Sequence, residues 1–212
     1  MNVQLTWATP YAEELIVKMA RVSAPKNQDN MDTAPRLLRY LIKYKHWSPF
    51  EMSNMCVEIE TTRAISPQIL RHRSFSFQEF SQRYADTSEL GSAVIPHLRR
   101  QDHKNRQNSI DDLSSESIAN YYRRISKLYE DAEHLYREMV SSGVAKECAR
   151  SILPLSTQTR LFMNGTIRSW IHYLQLRCDP GTQFEHRQIA GEIKRIFCKE
   201  FPVIGEAAFT ED

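Results

Sequence analysis

Between Arg71 and Tyr84 the chain reads Arg-His-Arg-Ser-Phe-Ser-Phe-Gln-Glu-Phe-Ser-Gln-Arg-Tyr, and any fold it adopts has to reconcile aromatic rings with charge. Phe75, Phe77 and Phe80 call for burial, yet they are interleaved with Arg71, His72, Arg73, Glu79 and Arg83. Burying the rings draws the guanidinium groups toward a protein-lined place, where an unpaired cation is costly. Two arrangements satisfy both demands. In one, the stretch is a half-buried strand whose arginines pair with Glu79 and with acids elsewhere. In the other, the arginines face an anionic ligand. Arginine's planar fork suits phosphate or carboxylate, serine hydroxyls add neutral donors, and phosphate is the anion this set fits best.

Composition narrows the remaining classes. A chain of 212 residues is most simply one domain, and 41% hydrophobic with 25% charged residues is ordinary for a soluble globular protein. A net charge of +2 gives no general case for nucleic-acid binding, because the positive charge is concentrated rather than spread. Nothing approaches the length of a membrane span, and the N-terminus lacks a basic-then-apolar signal pattern. Cys56, Cys148, Cys178 and Cys198 are scattered, with no C-x-x-C pair. That spacing argues against a zinc site or disulfide framework and for a reducing, cytoplasmic setting.

Periodicity and punctuation predict the elements. A helix runs from about Tyr11 to Arg21, and a second follows Asp32 or Thr33 as its cap, with Pro35 near its start. Ser48-Pro49-Phe50-Glu51 has the form of a capping box, but Met55–Glu60 then alternates with strand period, so any helix there is a single turn. Ser66-Pro67 predicts another helix start, with Gln68 and Arg71 on one face and the Arg-His-Arg triplet at its end. Residues 85–112 are polar and turn-rich and read as an exposed, mobile excursion. Ser114 or Ser115 caps the longest helix, in which Ile118, Tyr121, Ile125, Leu128, Ala132, Leu135 and Met139 recur at three- and four-residue spacing before Ser142-Gly143 ends it. A short helix carries Lys146 to Arg150. Thr157–Met163 reads as a strand, Asn164-Gly165 as a turn, Thr166 as the start of a helix ending at Arg177, and Gln183–Lys199 as a last helix.

No histidine pair has metal-helix spacing, so no metal is expected. Neither a Rossmann fingerprint nor a P-loop is present, and no G-x-S-x-G elbow supports a hydrolase. A nucleotide, if bound, is held by side chains. A non-catalytic nucleotide sensor and an RNA-binding module are the competing classes; the second needs a continuous basic face.

The string Arg71-His72-Arg73, seven residues, Ser81, with Ser-x-Gln-Glu-x-Ser-x-Arg-Tyr between and after, closely resembles the signature of the flavin-dependent thymidylate synthases, which usually carry Asn where Gln78 stands. The resemblance extends from Ser23 to about the last helix. It implies an α+β fold, a largely antiparallel sheet flanked by helices in a single domain over residues 1–212, and a homotetramer whose sites are shared between subunits. The implied reaction is reductive methylation of dUMP to dTMP, with methylenetetrahydrofolate as one-carbon donor, NADPH as reductant and bound FAD, and without a cysteine nucleophile. By the same resemblance, Ser48 of His46-x-Ser-Pro-Phe-Glu51, the Arg71-His72-Arg73 triplet, Glu79, Thr166, Arg168 and His172 fall on FAD positions. Gln68, Arg71, Glu79, Ser81, Gln82, Arg83 and Arg150 fall on dUMP positions. Arg177 falls on the arginine that activates the substrate. Many relatives carry Asn at the position of Thr166.

Overall fold

Alternation and helical period give fourteen regular elements in a computed structural model that describes residues 1–210. In chain order they are β1 (Asn2–Ala8), α1 (Ala12–Ala20), α2 (Ala34–Lys43), β2 (Asn54–Thr62), α3 (Ser66–Ile69), β3 (Ser76–Glu79), β4 (Arg100–Gln101) and β5 (Ser109–Ile110). There follow α4 (Ser115–Ser141), α5 (Lys146–Ala149), β6 (Gln158–Thr166), α6 (Ile167–Arg177), α7 (Phe184–Glu200) and α8 (Pro202–Phe209). No described helix is long and apolar enough to cross a membrane.

The chain forms two compact units, neither of them a continuous stretch: Met1–Ile59, Arg71–Gln78 and Phe162–Asp212 in the first, Glu60–Leu70 and Glu79–Leu161 in the second. The principal sheet has the order β1-β2-β6-β3. Its strands are antiparallel: the end of β1 meets the start of β2 (Thr9 N–H to Asn54 O, 2.9 Å), and the residue after β6 meets the one before β2 (Ile167 N–H to Ser53 O, 2.9 Å). The mixed helix and antiparallel-sheet class is therefore as the resemblance implies.

In the first unit the core gathers on α6. Ile167, Trp170, Ile171, Tyr173 and Leu174 are buried on it, with Met55 and Val57 of β2 and Ile189, Ile193 and Phe197 of α7. Trp170 resolves its one polar atom by donating Nε1–H to Met55 O at 2.9 Å, as a buried indole must. Phe75 packs edge-on against Trp170, with centroids 4.7 Å apart.

Several local predictions are corrected. Asn164-Gly165 is no turn, because both residues lie within β6. Gly165 is small for another reason: a Cβ there would overlap the Phe75 ring. Thr33 occupies the cap position of α2, but its hydroxyl accepts from Arg21 Nη2 at 2.7 Å and makes no cap bond. Ser66 is the first residue of α3, not its cap, and α3 ends at Ile69, so Arg71 lies beyond it and shares no helical face with Gln68. The excursion at 85–112 contains a short antiparallel ribbon, Arg100 opposite Ile110 and Gln101 opposite Ser109, pinned by a two-bond Arg100–Asp112 pair at 2.8 and 2.6 Å. Strand β1 and helix α8 had no counterpart in the sequence reading.

Gly165→Ala is expected to destabilise the protein by about 1–3 kcal/mol through overpacking, seen as a lower urea midpoint. In a Phe75→Leu background the same change should cost less, since the ring it collides with is gone. Equal costs in both backgrounds would locate the constraint elsewhere.

Candidate active site

In the first unit, the one-turn 3-10 helix Ser48–Glu51 carries Glu51 toward the start of α6. The predicted capping box does not form: Trp47 is the cap residue and no side chain caps the turn. The Glu51 carboxylate is engaged instead by α6, accepting from Arg168 Nη1 at 2.6 Å and from the Thr166 hydroxyl at 3.0 Å. Thr166 also caps α6, accepting from Ser169 N–H at 3.2 Å. Its single proton is thus shared between Glu51 and the Ser169 hydroxyl, 3.1 Å away, while a lone pair serves the helix. A cleft of about 540 Å³ opens here, lined by Trp47, Glu51, Ser74, Thr166, Arg168 and His172 among others. Ser48 stands exposed at the head of the turn, and His172 and Arg168 are exposed along the helix. Glu51 was missing from the sequence-derived site. Its string had the form of a capping box, and the serine and glutamate at the mouth of β2 were candidates for a binding loop, but of the two only Ser48 was carried into the predicted site.

Eleven residues on from Thr166, α6 ends at Arg177. A helix C-terminus gives an arginine an ordinary role on the last carbonyls, but Arg177 donates its Nε–H to His72 Nε2 at 2.8 Å. This fixes the imidazole as a neutral ring with its proton on Nδ1. It also leaves both guanidinium Nη groups to donate elsewhere. His72 rests edge-on over the Tyr173 ring, 4.8 Å between centroids. The Tyr173 hydroxyl lies 3.0 Å from Nε2 of the fully buried His186. Burial holds the Tyr173 phenol above its ordinary pKa, so it keeps its proton, and which of the two groups donates follows the imidazole tautomer of His186. Among the described residues, His186 Nδ1 is buried without a hydrogen-bond partner. Arg71 and Arg73 flank His72 in exposed turn positions.

In the second unit, Glu79 is the hub. Its Oε1 accepts from the hydroxyls of Ser66 (2.6 Å) and Thr159 (2.9 Å), and its Oε2 pairs with Arg63 at 3.0 Å. Arg63 in turn donates to Phe80 O at 2.7 Å. This is the first of the two arrangements read from the sequence, with the acid paired by protein, though the arginine is Arg63 and not one of the signature. Gln82 is buried and its amide nitrogen has no partner among the described residues. Arg83 makes an exposed pair with Glu147, Nη2 to Oε2 3.1 Å, an arrangement worth little in solvent and easily exchanged for a ligand. Gln68 sits on α3, Ser81 is exposed, and Arg150 opens a 3-10 turn after α5.

The expected FAD positions therefore fall in the first unit except Glu79, and the expected dUMP positions in the second except Arg71 and Arg177.

His72 and His186 are both pushed down to about 4, by burial first, then by Arg177, and then by His172 for His72 and by His72 for His186. An unfolded histidine titrates near 6.5. Between those values the unfolded chain binds protons that the folded chain refuses. The stability these neutral rings contribute is complete above about 6.5 and lost as pH falls toward about 4. The urea midpoint should decline across that window, and the decline should be shallower in a His72→Gln, His186→Gln variant. An unchanged slope would assign the acid sensitivity to other groups.

Comparison with known proteins gives a consistent result. The family model described as thymidylate synthase complementing protein matches residues 4–203. A probable flavin-dependent thymidylate synthase of Paramecium bursaria Chlorella virus 1 is 53% identical over 197 residues, 92% of this chain and 90% of that protein. A flavin-dependent thymidylate synthase of Synechocystis sp. is 52% identical over 195 residues, 92% of this chain and 88% of its own length. Among solved structures, a UMP/dUMP methylase, PolB from Streptomyces cacaoi bound with 5-Br dUMP, superposes with a TM-score of 0.86. It is 28% identical, and the match covers 97% of this chain and 93% of that one.

Proposed function

Since the chain belongs to the flavin-dependent thymidylate synthase family, we propose that it reductively methylates dUMP to dTMP, with methylenetetrahydrofolate as one-carbon donor and NADPH as reductant through bound FAD. The observation that carries this reading is the Arg177–His72 bond. Uracil has to become electron-rich at carbon 5 to take up a methylene group. A cysteine adding at carbon 6 is one route, and a guanidinium held against the uracil edge, stabilising the ring as an anion, is another. Arg177 is pre-oriented for the second route: its Nε is tied to a neutral imidazole, and its Nη fork remains to meet the substrate. The cysteines support it too. Burial raises the thiol pKa of Cys56, Cys178 and Cys198, which moves them away from thiolate. Cys148 is exposed on α5.

The donor set fits FAD. Arg71, Arg73 and Arg168 offer exposed guanidinium groups for a pyrophosphate, and Ser48, His72, Thr166, His172 and Glu79 complete the proposed contacts. Thr166 acts through Glu51 and Arg168, because its own hydroxyl is spoken for. FAD, when bound and reduced, supplies hydride to the one-carbon adduct. Gln68, Arg71, Glu79, Ser81, Gln82, Arg83 and Arg150 are assigned to dUMP. The unpaired Gln82 amide and the loosely paired Arg83 support this. We take Ser81 as a phosphate donor, not a nucleophile, because no base is hydrogen-bonded to its hydroxyl among the described residues. One domain over residues 1–212 is supported by the extent of the family match and by the interleaving of the two units along the chain. A homotetramer is supported by apolar surface on α4, and a reducing, cytoplasmic setting by four unpaired cysteines.

The purified protein with FAD and dUMP should be yellow, and NADPH should bleach it without oxygen; failure to retain FAD at micromolar concentration would sink the flavoenzyme reading. Ser81→Ala and replacement of all four cysteines should leave measurable turnover, whereas a trapped covalent dUMP adduct on any of them would overturn the non-covalent route.

Arg177→Ala should lower turnover on the order of 10²–10³ while FAD stays bound. Arg177→Lys should recover only part, since an ammonium cannot reproduce the planar fork or the bond to His72. Near wild-type rates in both would place the activating group elsewhere, with Arg150 or Arg71 next to test.

A further inference from the structure

Helix α4 carries a feature that catalysis does not use. Tyr121, Leu128 and Leu135 recur at seven-residue intervals and are 48%, 64% and 46% exposed. Ile118, Ile125, Ala132 and Met139 recur beside them with the same interval, half-buried. Together they form three heptads of a coiled-coil seam.

The rotation of the helix is fixed by a different line of residues. Tyr122, Tyr129 and Tyr136 face inward: Tyr122 donates to Pro96 O at 3.3 Å, Tyr129 to the Ser156 hydroxyl at 2.9 Å, and Tyr136 is buried. Glu133 adds bonds from Ala93 N–H at 2.8 Å and the Ser92 hydroxyl at 3.1 Å. With that face occupied, the Tyr121–Leu128–Leu135 line is left on the outside of its own unit. Leucine and tyrosine exposed in a row call for a partner surface.

We propose that the partner is the same helix of a second copy of this chain, paired antiparallel about a twofold axis at Leu128. Self-complementarity supports this occupant. The twofold faces Leu128 with Leu128, Tyr121 with Leu135, and Ile125 with Ala132, so large residues meet small or equal ones. Arg124 and Asp131 lie four residues before and three after Leu128, on the same side of the stripe. Antiparallel pairing therefore sets Arg124 of one copy opposite Asp131 of the other, twice. A parallel pair would instead set Arg124 toward Tyr129 and Asp131 toward Tyr136 of the other copy, residues already turned into their own unit. Asp131 already accepts from Lys127 at 2.7 Å through Oδ1, which leaves its other oxygen for the partner. The contact is isologous, as a closed dimer interface requires.

This inference deepens the homotetramer reading and rests on it only in requiring more than one copy. The test uses the full chain with Cys148→Ser to remove the exposed native thiol. In that background Leu128→Cys should give a disulfide-linked dimer under mild oxidation. Tyr121→Cys alone should not, and Tyr121→Cys with Leu135→Cys should. Arg124→Glu should shift sedimentation toward a smaller species, and adding Asp131→Arg should restore the original size. A wild-type protein that sediments as a monomer would sink the tetramer and this contact together. A wild-type oligomer whose Leu128→Cys variant fails to cross-link, or whose assembly ignores both charge changes, would overturn this contact alone.

Discussion

The contact of Phe75 with Gly165 sets the position of everything chemical in the first unit. Phe75 follows the Arg-His-Arg triplet by a single serine, and Gly165 precedes the helix cap by no residue at all. Pressing the ring onto bare backbone ties the triplet to the junction of β6 and α6. Trp170, further along α6, packs edge-on against the same ring. From that fixed start, the helix carries Arg168 and His172 on exposed positions and delivers Arg177 at its end. Phe75 is therefore what holds the triplet's charges in place, with its ring buried while Arg71 and Arg73 stay exposed.

The charge state of the cluster follows from the same packing. An imidazole that accepts a hydrogen bond from a guanidinium cannot also be protonated at that nitrogen. Burial against Tyr173 and the field of Arg177 both favour the neutral ring. The result is a rigid acceptor that holds Arg177 without neutralising it. A carboxylate in the same place would orient the guanidinium as well, but it would cancel the positive charge that an electron-rich pyrimidine needs. On the proposed chemistry, histidine is the better choice of anchor for that reason.

Much of this was legible in the sequence, and the failures have a pattern. Helices α1, α2, α4 and α7 announced themselves by apolar period, and Ser114 and Thr166 by cap chemistry that the structure realises. Misreadings arose where a residue's usual local role was overridden by a distant partner. Glu51 left its cap for Arg168, 117 positions away. Ser66 gave its hydroxyl to Glu79, and Gly165 answered to Phe75 instead of to a turn. Local rules rank the options available to a side chain within a few residues, and a charged or buried group across the fold outbids them. Arg177 was singled out by its family position, but its bond to His72 was not foreseen, since nothing in either segment encodes the other's proximity.

The threonine at position 166, where many relatives of the family carry asparagine, is explained by the valence of the site. The position has two duties: to accept from the N-terminal turn of α6 and to donate to Glu51. A hydroxyl meets both with one oxygen, accepting through a lone pair and donating its proton. A side-chain amide meets them with two atoms, its oxygen accepting and its nitrogen donating. Both residues are good helix caps. The exchange thus preserves the number and direction of hydrogen bonds while changing reach, and the cost of the shorter side chain falls on the cleft. An amide has a second N–H left for a ligand after serving Glu51, and threonine has none. In this chain the polar groups that line the cleft beside Thr166 include Ser74, His172 and Arg168, the last of them placed by Glu51.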